Sequence, residues 1–405
     1  MSTQSEETES EARGSGFTVV FRLGSAKSNR SAMVVSKAKP KGRSFMRSLI
    51  ETGKAEPVLG GKRAALDFDP ILSKLYVMDA GDFGHTQEYL ERLQSDVEVE
   101  LAYVAPPRDV LVERSAQVAR SRGSDDSWRK LIGLERAQQL PQWATNARVT
   151  IAVVDSGVDT RHPQLGHVSF VDHLKRPPRR PDVIGHGTHV AGLIAAAACE
   201  GNTFQGVAND CADVTVHRGI ARPEDVGGYY RALRGAGGAQ IINLSVGGEG
   251  EDPVETDIVR DCLEGGAIVV AAMGNARELG NPSIYPAALD GIIAVGAVDA
   301  AGNVAKFSNY GDHVLLAAPG VHILSTVPTY PVPGVRASGN PPLGAMSGTS
   351  MAAPIVTGII ARMLAYNPQL TRAQVIDLIR TCLGGLLDQD IGHGILNANA
   401  LLSAL

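Results

Sequence analysis

From Val149 onward the chain alternates short runs of β-branched residues with longer stretches rich in small residues, and this alternation restricts the fold more than any other feature. The runs Val149 to Val154, Ala267 to Ala272, Ile292 to Val295 and Val314 to Ala318 are close to continuously apolar, and Val214 to His217 and Gln240 to Leu244 are β-branched runs with polar residues among them. A strand with one wet face would alternate in polarity. A continuous one is buried on both faces, as parallel strands are when helices cover the sheet above and below. The stretches His189 to Cys199, Asp257 to Glu264, Ser350 to Tyr366 and Thr371 to Cys382 have the composition of those helices. The expectation is an α/β fold, a doubly wound and mostly parallel sheet with helices on both faces. Ligands of such sheets bind at the carboxyl ends of the strands.

The chain before this domain has a different character. Residues 1–15 are rich in Ser and Glu and read as a disordered tail. Residues 16–105 read as a small α+β domain, with strands at Phe17 to Leu23, Lys74 to Met78 and Val97 to Val104, and helices at Ser44 to Thr52 and Thr86 to Ser95. Ala105-Pro106-Pro107-Arg108 interrupts regular structure, and residues 106–127, rich in Arg, Ser and Gly, read as a linker to the domain at 128–405.

A net charge of −5 gives no reason to expect a nucleic-acid partner. The basic stretch from Lys27 to Arg63 reads as a solvated face or loop. The first residues are polar and acidic where a secretory signal needs a positive flank and an apolar stretch, so a cytoplasmic location is expected. Apolar runs such as Val356 to Leu364 are short and interrupted by Arg362, so no membrane association is expected. Cys199, Cys211, Cys262 and Cys382 lack metal-ligand spacing and read as free buried thiols, with a Cys199–Cys211 disulfide as the alternative.

Three separated segments carry chemistry. Asp155 lies in Val153-Val154-Asp155-Ser156-Gly157, His186 and His189 in Gly185-His186-Gly187-Thr188-His189, and Ser350 in Gly348-Thr349-Ser350-Met351-Ala352. A serine hydroxyl is a weak nucleophile at neutral pH. It needs a neutral imidazole to take its proton and a carboxylate to hold that imidazole in the right tautomer. A fourth segment, Val269 to Asn275, is an apolar run ending in a Gly-Asn turn that would bring the Asn275 amide to a developing oxyanion. Each residue also has a plainer reading: Asp155 as a turn cap, Asn275 as a loop residue, Ser350 as a helix N-cap compatible with a nucleophilic role.

In their order Asp, His, Asn, Ser, these segments resemble the subtilases, the subtilisin-like serine peptidases. The resemblance runs from about Trp128 to the C-terminus and extends to Gly133 to Trp143, Ile242 to Gly248, Ser283 to Ala287, Ile293 to Ala297, Phe307 to Gly311, Ala318 to Gly320 and Gly392 to Ala398. It implies a subtilisin-like fold and a serine endopeptidase acting on protein or peptide substrates, with Asp155, His186 and Ser350 as the triad and Asn275 on the oxyanion. His189 is then a packing residue. The alternative in a different class is a catalytically inactive subtilase fold serving as a scaffold or binding module. The resemblance further implies that Ser245, Val246 and Gly247 form one wall of the substrate pocket and Ala272, Met273 and Gly274 the other. Ile284 near the floor suggests a shallow pocket for small or medium apolar side chains, and Tyr285-Pro286 is expected to be cis.

Where the family has Thr, Asn and His, this chain has Ser156, Ser347 and Ile355. Pro354 is placed in the first helical turn, where its missing N–H costs little. No cofactor is required. A structural calcium is a habit of the family, and Asp159 matches one ligand position, against the plainer reading of a solvated aspartate. The N-terminal domain is expected to act as an intramolecular inhibitor, a propeptide cleaved between about Pro106 and Ser127. The alternative is a regulatory or docking domain that stays attached.

Overall fold

A computed structural model describes residues 18–23, 45–52, 54–58, 74–79, 83–96, 99–112, 127–145 and 147–405. The chain divides into two units, residues 1–106 and 107–405. The tail at 1–15, most of the basic stretch and residues 113–126 of the linker lie outside the described residues.

The smaller unit contains β1 (Thr18–Leu23), α1 (Phe45–Glu51), β2 (Glu56–Pro57), β3 (Leu75–Asp79), α2 (Phe83–Gln94) and β4 (Val99–Ala105). Its four strands pair antiparallel in the order β2-β3-β1-β4. Val19 and Phe21 on one face of β1 pack with Met46 and Leu49 of α1 and Leu93 of α2. Strand β2 escapes the apolar pattern because it has only two residues, one of them a proline that an edge strand tolerates.

The larger unit begins with β5 (Asp109–Val110), α3 (Ser127–Leu131), α4 (Leu134–Ala137), β6 (Val149–Asp155), β7 (Ser169–Asp172), α5 (His186–Ala195), β8 (Ala212–Arg218), α6 (Val226–Gly235), β9 (Ile241–Leu244) and β10 (Val246–Glu249). It continues with α7 (Pro253–Glu264), β11 (Ile268–Ala272), β12 (Ile284–Tyr285), β13 (Ile293–Val298), β14 (Val314–Pro319), β15 (Ile323–Thr326), β16 (Leu343–Met346), α8 (Thr349–Tyr366), α9 (Arg372–Leu383) and α10 (Ala398–Ser403). Seven strands form one sheet in the order β14-β13-β11-β9-β6-β8-β7, with every pair parallel.

Both faces of that sheet are dry along its central strands, while the edge strand β7 is largely exposed. Ile151 and Val153 of β6 belong to the cluster that holds α5 and α8, while Ala152 and Val154, pointing the other way, are equally buried. The strand order reverses between β6 and β9, so the crevice at the sheet's carboxyl edge lies beside the end of β6, at Asp155, and the end of β9, just before Ser245.

Helix α8 is buried at every residue except Tyr366. By length and composition it would cross a bilayer, contrary to the sequence expectation of a run too short to do so, yet it lies inside the protein core. Its one charge is satisfied there: Arg362 donates from Nε to the Val207 carbonyl at 2.9 Å, pairs with Asp210 and lies 4.0 Å from the Trp143 ring centroid. All four cysteines are free, so the disulfide alternative is not realised, and only Cys211 and Cys262 are fully buried. Tyr285–Pro286 is cis, as is Asn340–Pro341.

Candidate active site

Asp155 is the last residue of β6 and His186 the first of α5. Both are fully buried, and His186 donates from Nδ1 to Asp155 Oδ1 at 2.7 Å. The proton on Nδ1 leaves Nε2 as the acceptor nitrogen, and Nε2 has no partner. Gly187 permits this approach, since a Cβ there would fall 2.1 Å from the Gly157 carbonyl oxygen and 3.0 Å from Asp155 Oδ1.

Asp182 fixes the start of α5, and sequence reasoning did not single it out. Its carboxylate accepts from the N–H groups of Ile184, Gly185 and Thr188, from Thr188 Oγ1 and from Ser156 Oγ. Burial pushes this carboxyl above its ordinary range, against the hydrogen bonds from Thr188 and Gly185 that favour the charged form. The Ser156 hydroxyl also accepts from the Gly187 N–H at 3.0 Å, so replacing the family's Thr keeps the group that matters. A carboxylate placed just before Gly185-His186-Gly187 is the readable trace of this cap. His189, one turn on, donates from Nε2 to the carbonyls of Ile323 and Gly344, and burial lowers its pKa to about 3.

Helix α8 starts at Thr349, with Gly348 at the cap position, so Ser350 sits in the first turn and is not the N-cap. Pro354 lies inside the helix, beyond the first turn expected for it. Its missing N–H frees the Ser350 carbonyl, which accepts instead from Ser245 Oγ at 3.1 Å. The Ser350 hydroxyl donates to the Ser245 carbonyl at 2.9 Å, and the hydrogen bond to His186 is not formed. Asn275 Oδ1 accepts from the Thr349 N–H at 2.9 Å and from Thr349 Oγ1 at 3.0 Å, which fixes the amide so that its NH2 faces the crevice.

That NH2 meets the chain's own backbone. Strand β5, in the segment expected to be linker, pairs antiparallel with β10, Val110 opposite Val246 and Asp109 opposite Gly247. The next residue, Leu111, donates its N–H to the Ser245 carbonyl at 3.3 Å, and its own carbonyl accepts from Asn275 Nδ2 at 2.6 Å. A Cβ on Gly348 would fall 2.6 Å from that carbonyl oxygen, so the start of α8 is kept bare where the peptide approaches. The Ser245 carbonyl thus receives both the Leu111 amide and the Ser350 hydroxyl.

The remaining residues expected to line the pocket gather here too. Val246, Ala272, Met273 and Ile284 are buried, and Ile284 lies against both Gly247 and Gly274, with Leu111 Cδ1 beside Gly247. Asp159 departs from expectation. It is fully buried, and its carboxylate accepts from the Thr329 N–H, Thr329 Oγ1 and the Arg161 N–H, with the Arg161 guanidinium 3.5 Å away. Donors and a cation already fill its coordination, which does not fit a calcium ligand, and among the described residues no other group of His, Cys, Asp or Glu gathers as a metal site.

The subtilase family model matches residues 146–394. Subtilisin of Bacillus pumilus is 36% identical over 274 residues, spanning 64% of this chain and 92% of that protein. The major intracellular serine protease of Bacillus subtilis is 34% identical over 254 residues, spanning 58% and 76%. Among solved structures, fervidolysin from Fervidobacterium pennivorans, a keratinolytic enzyme related to subtilisin, superposes with a TM-score of 0.68 at 25% identity. That match covers 96% of this chain, which spans 61% of fervidolysin. The fold and the comparisons define a serine endopeptidase that hydrolyses peptide substrates. The chain belongs to the subtilase family.

Proposed function

We propose that Asp155, His186 and Ser350 form the catalytic triad, and that the first peptide bond cut is Leu111–Val112 of the chain itself. The observation that carries this reading is the seat of Leu111, its carbonyl on the Asn275 amide and its N–H on the carbonyl that also holds the Ser350 hydroxyl. In the first step the Ser350 hydroxyl leaves the Ser245 carbonyl, passes its proton to His186 Nε2 and adds to the acyl carbon. Asp155 holds Nδ1–H and stabilises the imidazolium. The oxygen, now negative, stays on Asn275 Nδ2 and meets the Ser350 backbone N–H at the positive end of α8. The imidazolium then protonates the departing amine, and water resolves the acyl-enzyme through the same base. On this reading the N-terminal unit restrains the enzyme while the segment at 107–112 fills the crevice. The likeness to a major intracellular serine protease supports action inside the cell.

Asn275→Ala should lower kcat by about 100- to 1,000-fold with KM changed only a few-fold, because the donor acts mainly on charge that develops after attack. Steady-state kinetics on a peptide amide check this; a kcat within tenfold of the wild type would remove Asn275 from the oxyanion site. The unformed Ser350–His186 bond is what an inert scaffold would present, and covalent labelling decides between the two readings. A fluorophosphonate probe should label the wild type and leave Ser350→Ala unlabelled; equal labelling, or none, sinks the triad.

A further inference from the structure

Arg108 enters the body of the larger unit as a guest. It lies three residues before Leu111, and only 2% of the residue is exposed. Its guanidinium forms a two-pronged ion pair with Glu255, Nε to Oε1 at 2.9 Å and Nη2 to Oε2 at 2.7 Å. Nη2 also donates to the Gly250 carbonyl at 3.1 Å, and the Arg108 N–H to the Pro223 carbonyl at 3.2 Å. Glu255 is fully buried in the first turn of α7. Its Oε1 accepts a second hydrogen bond from Tyr229 at 2.7 Å. Beside it Asp252 caps α7 through the N–H groups of Val254 and Glu255 and accepts from Tyr230 at 2.5 Å.

We propose that Glu255, Tyr229 and the Gly250 carbonyl form an arginine-selecting pocket, so that preferred substrates carry Arg as the fourth residue before the scissile bond. This rests on Leu111–Val112 being that bond. The plainer alternative is a rivet that only ties the segment down. Against it stands the register: Asp109, Val110 and Leu111 are held by backbone pairing that any extended peptide can reproduce, whereas Arg108 inserts a charge into a cavity of matching shape. When the segment leaves, Glu255 loses the guanidinium paired with it, and a substrate guanidinium would restore that pair. The flat, paired geometry favours Arg over Lys, whose ammonium cannot span both carboxylate oxygens.

The test uses the full-length protein after self-processing, with active sites counted by fluorophosphonate labelling. Fluorogenic amides of Arg-Asp-Val-Leu and Ala-Asp-Val-Leu are then compared. The Arg peptide should have the higher kcat/KM by about 100-fold, the scale of losing one partner of a buried charge pair. Glu255→Leu and the milder Glu255→Gln should both reduce that ratio; because it is measured within one preparation, a partial folding defect does not mimic the effect. A labelled wild type that hydrolyses both peptides within about threefold overturns the pocket and leaves the peptidase reading intact. A protein that neither labels nor cleaves overturns the peptidase reading, and the pocket with it.

Discussion

The purified full-length chain should cut itself once, between Leu111 and Val112, while the Ser350→Ala chain stays whole. Removing the nucleophile of such a triad lowers turnover by about 10⁶-fold, so processing that the wild type completes in minutes would not be seen in the variant over days. The position follows from hydrogen bonds that only one residue can make. Leu111 alone places its carbonyl on Asn275 and its N–H on Ser245, and the backbone pairing of Asp109 and Val110 with β10 fixes the register. Shifting by one residue would point the side chains of β5 to the opposite faces and pull Arg108 from Glu255. Intact mass and sequencing of the new amino terminus check this. A terminus other than Val112, or equal full-length masses for the two proteins when the wild type labels with fluorophosphonate, would refute it.

His186→Ala should lose nearly all turnover, by roughly 10⁴- to 10⁶-fold, while His189→Ala keeps kcat within about tenfold per labelled site and melts at a lower temperature. The two imidazoles share one helix and differ in what their nitrogens face. His186 presents a free acceptor and is oriented by a carboxylate; His189 is enclosed and spends its N–H on two carbonyls. Deleting His189 leaves both acceptors without that donor in a dry site, which costs about 1–3 kcal/mol for each unsatisfied group. With its folded pKa depressed to about 3, His189 binds no proton over the range where an unfolded histidine does. Its contribution to stability is therefore complete above about pH 6.5 and declines as the pH falls toward 3. Kinetics with counted sites and thermal melting separate the two roles; equal losses of turnover would show that His189 is more than a packing residue.

Much of this architecture was legible because parallel strands buried on both faces leave an unmixed apolar signal, as at Val149 to Val154 and Ala267 to Ala272. Other elements were hidden for physical reasons. Helix α6 carries Gly227, Gly228 and Gly235, which lower helix propensity, yet Gly228 and Gly219 meet closely, with a Cβ on Gly228 only 2.7 Å from the Gly219 carbonyl oxygen. The sequence expectation starts α5 at His189 because glycines surround His186; the Asp182 carboxylate, just upstream, accepts from the Gly185 and Thr188 N–H groups and secures an earlier start. Strands β5 and β10 are too short for periodicity to detect, since they exist by pairing, β10 between β12 and β5. The triad candidates carried a pattern, whereas Glu255 and Arg108 did not: a glutamate on a helix and an arginine after two prolines look like surface until the fold brings them together.

Helix α8 gives the proposed nucleophile a place in time as well as in space. All seven strands of the large sheet precede Thr349 along the chain, and the helix packs on β9, β11, β13 and β14 and on α5, all of which precede it. During synthesis the serine is therefore the last of its partners to emerge, and it cannot take up its station until the layers around it exist. On the proposed triad, a half-made molecule holds an aspartate and a histidine but nothing to attack with, so the power to cut arrives only once the sheet is complete.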